Sequence, residues 1–431
     1  MKTEGVSAYY LPGVTVDVSS HRVLRDDQDV GLPDLSYRLI RVLCEHAPDV
    51  VAKDELIAGV WEHDVVSDET LAQRVRLLRK ALGESSEAAQ AIVSVRGRGY
   101  RIAAPVTVGA DQGLLQPVAD VGVYNDYLLG RHLTFSLTGD NLEEAARILT
   151  RVTGKAPDFA EAFTTLGYAY SFLGTPYGRR APLTVFHQAK SAVLRAISIR
   201  PDSAEAHSLY ADILAWFDWD FATAESEHRS AIALDDRLVL GYALLLSALE
   251  RHDEALALMD SALERTPDDV YLRSNAAWRY FDAGRYKEAL DLAVLSSEHA
   301  DALTIMGNAR LALGEIPAAV AHFESDLGKY PGDPIRIANL ARASFVAGET
   351  ARARELEASL HRTMEAQFAS PALAAMVRFA AGDDEAGFTW LDKAVEDRVR
   401  DVIFLKVATW LTDYRDDARY RRLLDIVGLP A

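Results

Sequence analysis

The chain has 431 residues, 49% of them hydrophobic, and a formal charge of −18. That length is too great for one compact domain and predicts two or three, each with a real core. The acidic balance excludes the chain as a whole from polyanion binding, so any such activity must be local. The single cysteine, Cys44, excludes intramolecular disulfides and suits a reducing compartment.

Taken in chain order, residues 1–10 lack the basic-then-apolar start of a secretory signal. Cys44 falls on the apolar stripe of Leu39, Val42 and Leu43, which predicts an inert core thiol. The most informative stretch comes next. Between residues 70 and 101 there are seven Lys/Arg against two Glu, whereas residues 1–106 as a whole carry 13 against 16 and the remainder 33 against 48. A cationic island in an acidic chain marks where a polyanion lands, and DNA is the natural candidate.

The first part of the island predicts an amphipathic helix. At about 100° per residue, Leu71, Val75, Leu78 and Leu82 share an inward face, while Gln73, Arg76 and Lys80 project from the opposite one with Leu77 beside them. Arg74 and Arg79 flank the stripe, Ser67 or Asp68 is the expected cap, and Gly83 is the expected stop. The second part, Val95 to Arg101, predicts a hairpin in which Gly97 and Gly99 supply a tight turn and keep the backbone low. A structural hairpin needs no Arg96, Arg98 and Arg101. Arginine is the residue that clamps phosphates and enters a narrow minor groove.

Residues 9–106 resemble the OmpR/PhoB-type winged-helix domain, in the version found at the N-terminus of CadC- and ToxR-like regulators. The resemblance is carried by Val14, Thr15, Val16 and Asp17, by Arg22, Val23 and Leu24, and by Leu35 to Leu39 and on to Leu43 for a first helix. Lys53 to Leu56 with Val60 and Trp61 give a second helix, and Leu78 to Gly83 with Val95 to Tyr100 complete the match. The resemblance implies that the third helix enters a major groove and the wing the adjacent minor groove. The DNA-binding residues it implies are Thr70, Gln73, Arg74, Arg76 and Lys80 on the helix, with Arg96, Arg98 and Arg101 on the wing. Leu77 departs from the polar residue usual there; a thymine methyl and a neighbouring protomer are both open as its contact.

Residues 107–123, with Pro117 and the two aspartates Asp111 and Asp120, read as a polar linker. Many regulators that resemble this chain carry a membrane helix here. This chain has none: its best apolar run, 238–249, is twelve residues, short of the ~20 that span a bilayer. A cytoplasmic protein is therefore expected. From about residue 124 the chain repeats. Pro157, Pro201, Asp235, Pro267, Asp301 and Pro331 mark boundaries with gaps of 44, 34, 32, 34 and 30, close to the tetratricopeptide period. Ala145, Ala189, Ala255, Ala289 and Ala319 take the small position of the second helix, and Leu149, Val193, Met259, Ala293 and Phe323 the larger one a turn on. Leu166–Gly167, Ala276–Ala277, Met306–Gly307 and Leu340–Ala341 form the close-contact pair of the first helix, and Gly174, Gly284, Gly314 and Gly348 punctuate the turns. The long gap places an insertion near Arg179 and Arg180. The aromatic run from Trp216 to Phe221 and the closing stretch from Phe404 to Leu424 resemble tetratricopeptide regions of the same group of regulators.

Such a solenoid offers a concave groove, with Tyr168, His207, Arg273, Asn308, Arg336 and Asn339 as candidate lining; for each, an inter-repeat contact or a solvated side chain is the commoner role. Arg179 and Arg180 are candidates for an anionic ligand, with a solvated loop tip as the ordinary alternative. No phosphate-cradling glycine loop, paired Cys/His spacing or nucleophile elbow is present, so no enzyme, metal or cofactor is expected. The sequence thus predicts a multidomain protein: an α+β winged helix-turn-helix over 1–106, a linker over 107–123, and an all-α tetratricopeptide-repeat solenoid with a capping segment over 124–431. Its expected partners are double-stranded promoter DNA, a second copy of the chain, RNA polymerase, and a protein or small-molecule effector in the groove, with no membrane. The competing reading is an interaction scaffold whose winged helix binds protein.

Overall fold

A computed structural model describes residues 6–11, 13–18, 22–25, 28–61, 66, 68–82, 91–95, 97–103, 106–110 and 121–430. The N-terminal part holds β1 (Val6–Leu11), β2 (Val14–Asp17), β3 (Arg22–Arg25), β4 (Gln28–Asp29), α1 (Asp34–Glu45), β5 (Val51–Ala52), α2 (Lys53–Trp61), α3 (Asp68–Ala81), β6 (Ile92–Val95), β7 (Gly99–Ile102) and β8 (Thr107–Ala110). Five strands form one antiparallel sheet in the order β4-β3-β2-β1-β8, and a smaller sheet runs β5-β7-β6. Register aligns Tyr9 with Val16 and Val16 with Val23. All three side chains therefore fall on one face of the pleat, and all are buried. Residues 107–110, read from sequence as the start of the linker, pair with β1 instead; their run of Thr and Val suits a strand.

That face packs on the three helices. Leu39, Ile40 and Leu43 of α1, Leu56 and Val60 of α2, and Leu71, Val75 and Leu78 of α3 meet Ile92 and Ile102 of the small sheet in one core. Each such side chain contributes roughly 1.5–3 kcal/mol by leaving water. Cys44 belongs to this core, and burial pushes its thiol well above the ordinary range. It is a packing group, as its place on the stripe predicts.

The remaining helices are α4 (Val121–Phe135), α5 (Gly139–Lys155), α6 (Ala160–Leu173), α7 (Phe186–Ile199), α8 (Ala204–Ile213), α9 (Phe221–Leu234), α10 (Leu240–Ala248), α11 (His252–Arg265), α12 (Val270–Asp282), α13 (Tyr286–Leu295), α14 (Ala302–Ala312), α15 (Ile316–Lys329), α16 (Pro334–Val346), α17 (Thr350–Ala366), α18 (Pro371–Ala380), α19 (Asp384–Glu396) and α20 (Ala418–Val427). Contacts divide the chain into residues 1–132 with 151–159, and residues 133–150 with 160–431. In the second unit consecutive helices pair in the tetratricopeptide manner. The alanines at the small position and the residues one turn on are all buried, as their period predicts. Gly307 shows why the first helix wants a small residue: a Cβ there would lie 2.5 Å from the Phe323 ring of the following helix.

The turn within each pair has a fixed conformation. The residue two before the second helix is left-handed at Leu137, Trp219, Glu250, Gly284, Gly314, Gly348 and Gly382, with φ between 50° and 80° throughout. Four of these are glycines; the others bear the ~1–2 kcal/mol that a side chain costs there. Glu250 has a reason to stay, because Lys406 of the closing segment binds it at 2.6 Å. Gly174 differs from the sequence expectation. It precedes the insertion, has no left-handed φ, and is needed for space, since a Cβ would meet the Phe186 ring at 2.9 Å.

A π-helical turn, Leu214–Asp218, carries the aromatic run, and the closing segment locks onto it. Arg398 lies 4.1 Å over the Trp219 ring and Arg400 5.4 Å over Trp216. Further along, Phe404 faces Arg279, Thr409 accepts a bond from Arg342, and Trp410 packs on Phe379. Residues 398–414 thus lie against the aromatic turn that follows α8 and against residues of the first helices α12, α16 and α18. The aromatic run is packing, and the chain's own C-terminal segment covers part of the surface that the sequence reading left open as a groove.

Candidate nucleic-acid interface

The third helix owes its orientation to its stripe. Leu71, Val75 and Leu78 are fully buried and Leu82 nearly so, which forces the opposite face outward. Thr70, Gln73, Arg76, Leu77 and Lys80 are exposed, and Arg74 at the flank is half-buried. Arg79, on the other flank, does something the sequence did not disclose. Its guanidinium donates to the Ile92 carbonyl at 2.8 and 3.1 Å and to the Ser94 hydroxyl at 3.1 Å. It is a strut that ties α3 to the first strand of the wing, a bidentate use to which lysine is unsuited.

The wing is a β6–β7 hairpin in which Val95 faces Gly99 and Val93 faces Arg101. The Arg98 amide donates to the Val95 carbonyl at 3.0 Å, closing the turn, and Gly97 has φ +73°. Gly99 is fixed by its neighbour: a Cβ there would stand 1.9 Å from the Val51 carbonyl oxygen of β5. Arg98 is exposed at the tip and Arg101 half-buried on the strand. Arg96, Ser67 and Gly83 lie outside the described residues. Among the described residues, the side chains of Arg74, Arg76, Lys80, Arg98 and Arg101 have neither an ion pair nor a hydrogen bond, so their charge faces outward uncompensated. From Thr70 to Ala81, α3 contains no carboxylate.

Residues 27–102 match the family described as "Transcriptional regulatory protein, C terminal". They form an OmpR/PhoB-type DNA-binding domain. The phosphate regulon transcriptional regulatory protein PhoB of Klebsiella pneumoniae is 35% identical over 95 residues, 22% of this chain and 41% of that protein. The chain therefore spans about two fifths of that curated relative. The DNA-binding domain of E. coli CadC covers 25% of this chain and all of its own length at 24% identity and a TM-score of 0.23. A tetratricopeptide repeat protein from Parabacteroides merdae covers 62% of this chain and 98% of its own at 13% identity and a TM-score of 0.40. Among the described residues no helix is long and apolar enough to cross a membrane.

Within the solenoid, the candidate groove residues are taken up by contacts of the repeats themselves. His207 bonds Glu227 at 2.5 Å and the Pro201 carbonyl at 2.8 Å. Arg273 donates to the backbone carbonyls of Leu295 and Pro267. Arg336 sits among Asp301, Asp326 and Asp333. Asn308 accepts from Arg342, and the Tyr168 ring packs at a tilt against both Phe135 and Phe172. Asn339 is buried. Arg179 and Arg180, candidates for an anion, instead pair with Asp140 at 3.2 Å and Glu143 at 2.6 Å. Their partners lie on α5, almost forty residues upstream, where sequence spacing gives no hint of them.

Proposed function

We propose that this chain is a cytoplasmic, sequence-specific regulator that binds double-stranded promoter DNA through α3 and the wing, with the solenoid receiving a signal or a protein partner. In this reading residues 1–106 are the DNA-binding domain, 107–123 connect it, and 124–431 form the sensory solenoid. Gln73 and Arg76 read base edges in the major groove. Thr70, Arg74 and Lys80 hold phosphates, and Arg96, Arg98 and Arg101 follow the minor groove beside the wing. The observation that carries the reading is the set of uncompensated cations on α3 and the wing, held in one frame by Arg79. Buried or paired arginines would serve the fold; these serve a ligand of opposite charge.

A single winged domain covers few base pairs, so specificity calls for two half-sites and a second copy of the chain. RNA polymerase is the partner through which such a regulator would act. The test is selection of duplexes from a random pool by the full chain. Enrichment of one motif, in two spaced copies, is expected. A pool that stays random after repeated rounds in dilute buffer would remove the DNA reading and leave the solenoid scaffold.

A further inference from the structure

Among the described residues preceding α4, Leu77 is the one exposed large apolar side chain, with 48% of its surface accessible. A lone exposed leucine needs no explanation on an ordinary surface. Its surroundings make this one different. Gln73 precedes it by four residues and Lys80 follows by three, so all three are neighbours on one row of the helix. Arg76 lies beside them, every one of these side chains is exposed, and the face has no carboxylate from Thr70 onward. An apolar partner protein fits that frame poorly, and a second copy of the same cationic face would repel it. A nucleic-acid duplex supplies the complementary charge, and its major groove offers one apolar feature, the C5-methyl of thymine.

We propose that Leu77 packs against a thymine methyl and makes that thymine a specificity-determining base of the site. The proposal rests on the reading that α3 enters the major groove. Four helical residues rise about 6 Å, a little under two base-pair steps of about 3.4 Å. The thymine therefore lies one or two base pairs from the base that Gln73 contacts. Glutamine pairs best with adenine, so the local site is A·T-containing at both steps.

The test uses the full chain and a duplex it has itself selected. Each thymine of the site is replaced in turn by deoxyuridine, which lacks only the methyl group, and affinity is read by fluorescence anisotropy. At one position the wild type should bind the uracil duplex about fourfold more weakly, the effect of burying one methyl group. Leu77→Ala, an exposed change that leaves the core intact, should bind the two duplexes equally. The proposal is overturned if no uracil duplex differs from its parent, or if Leu77→Ala discriminates as well as the wild type. Loss of cooperative binding in Leu77→Ala with thymine discrimination intact would also overturn it, by placing Leu77 between two copies of the chain. Failure of the wild type to bind any duplex in dilute buffer would strike the groove reading itself, a result distinct from all of these.

Discussion

In the solenoid, arginines close on carboxylates: Arg180 on Glu143, Arg251 on Glu225 and Glu254, Arg378 on Glu357, and Arg336 on three aspartates. On α3 and the wing, Arg74, Arg76, Lys80, Arg98 and Arg101 find no such partner among the described residues. The contrast is sharpened by Arg79, whose guanidinium is held by the Ile92 carbonyl and the Ser94 hydroxyl of the wing strand. Charge in the solenoid holds helices in register, whereas the charge of Arg74, Arg76, Lys80, Arg98 and Arg101 on α3 and the wing is left available. This is how a chain at −18 keeps a local polyanion-binding surface: its acidic residues neutralise the repeat arginines and are absent from the face of α3.

The first way to break the comparison is to damage only the solenoid. Phe323→Ala removes the ring that fills the space beside Gly307, and should lower stability by about 3–5 kcal/mol. Calorimetry should show the solenoid melting earlier while duplex affinity below that transition is unchanged; a parallel fall in affinity would mean that the regions do not act separately. Asp212→Asn sharpens the account of buried charge. Burial pushes the Asp212 carboxyl up to about 7, with Arg400 opposing, and His228 at 3.6 Å is pushed down to about 4 by burial, so both are driven toward neutral forms. The native Asp212 keeps a proton that the unfolded chain releases above its ordinary 3.8. The stability this gives is complete below that value and is lost as pH rises through about 7. The stability gained from Asp212→Asn should therefore grow between pH 4 and pH 8, toward a limit on the order of 4 kcal/mol. A gain that is flat or shrinks with pH would contradict this origin. His228 behaves oppositely, contributing above 6.5 and losing its effect toward about 4, and it is common to both proteins.

Smaller effects follow on the surface. Arg98→Ala should weaken binding to most sequences alike and reduce the slope of log affinity against log salt by about one; an unchanged slope removes the wing tip from the interface. Arg180→Ala, by contrast, deletes an exposed pair with Glu143. It should shift stability by less than about 1 kcal/mol and leave duplex binding untouched. A loss of binding there would show that the insertion has a role beyond pairing.

Much of this was legible in the sequence because periodicity reports burial. The Leu71, Val75, Leu78 stripe fixed which face of α3 points outward, and the 34-residue spacing located the small and large positions of the repeats. What stayed hidden depends on partners distant in sequence or on backbone groups with no side-chain signature. Arg79 binds a carbonyl, so nothing in its neighbourhood marks it as a strut. Arg179 and Arg180 looked available because Asp140 and Glu143 stand some forty residues away. The left-handed turns at Leu137, Trp219 and Glu250 lack the glycine that announces the others. The closing segment's cover over the first helices was invisible, since only packing reveals which surface a terminal stretch occupies.

The central claim is that the uncompensated cations of α3 and the wing form a surface for duplex DNA. The salt dependence of duplex binding by the full chain tests it most directly. The account predicts affinity at low ionic strength that falls steeply and linearly in log salt, with a slope reporting several phosphate contacts. Binding that ignores salt, or no binding in dilute buffer, would contradict it.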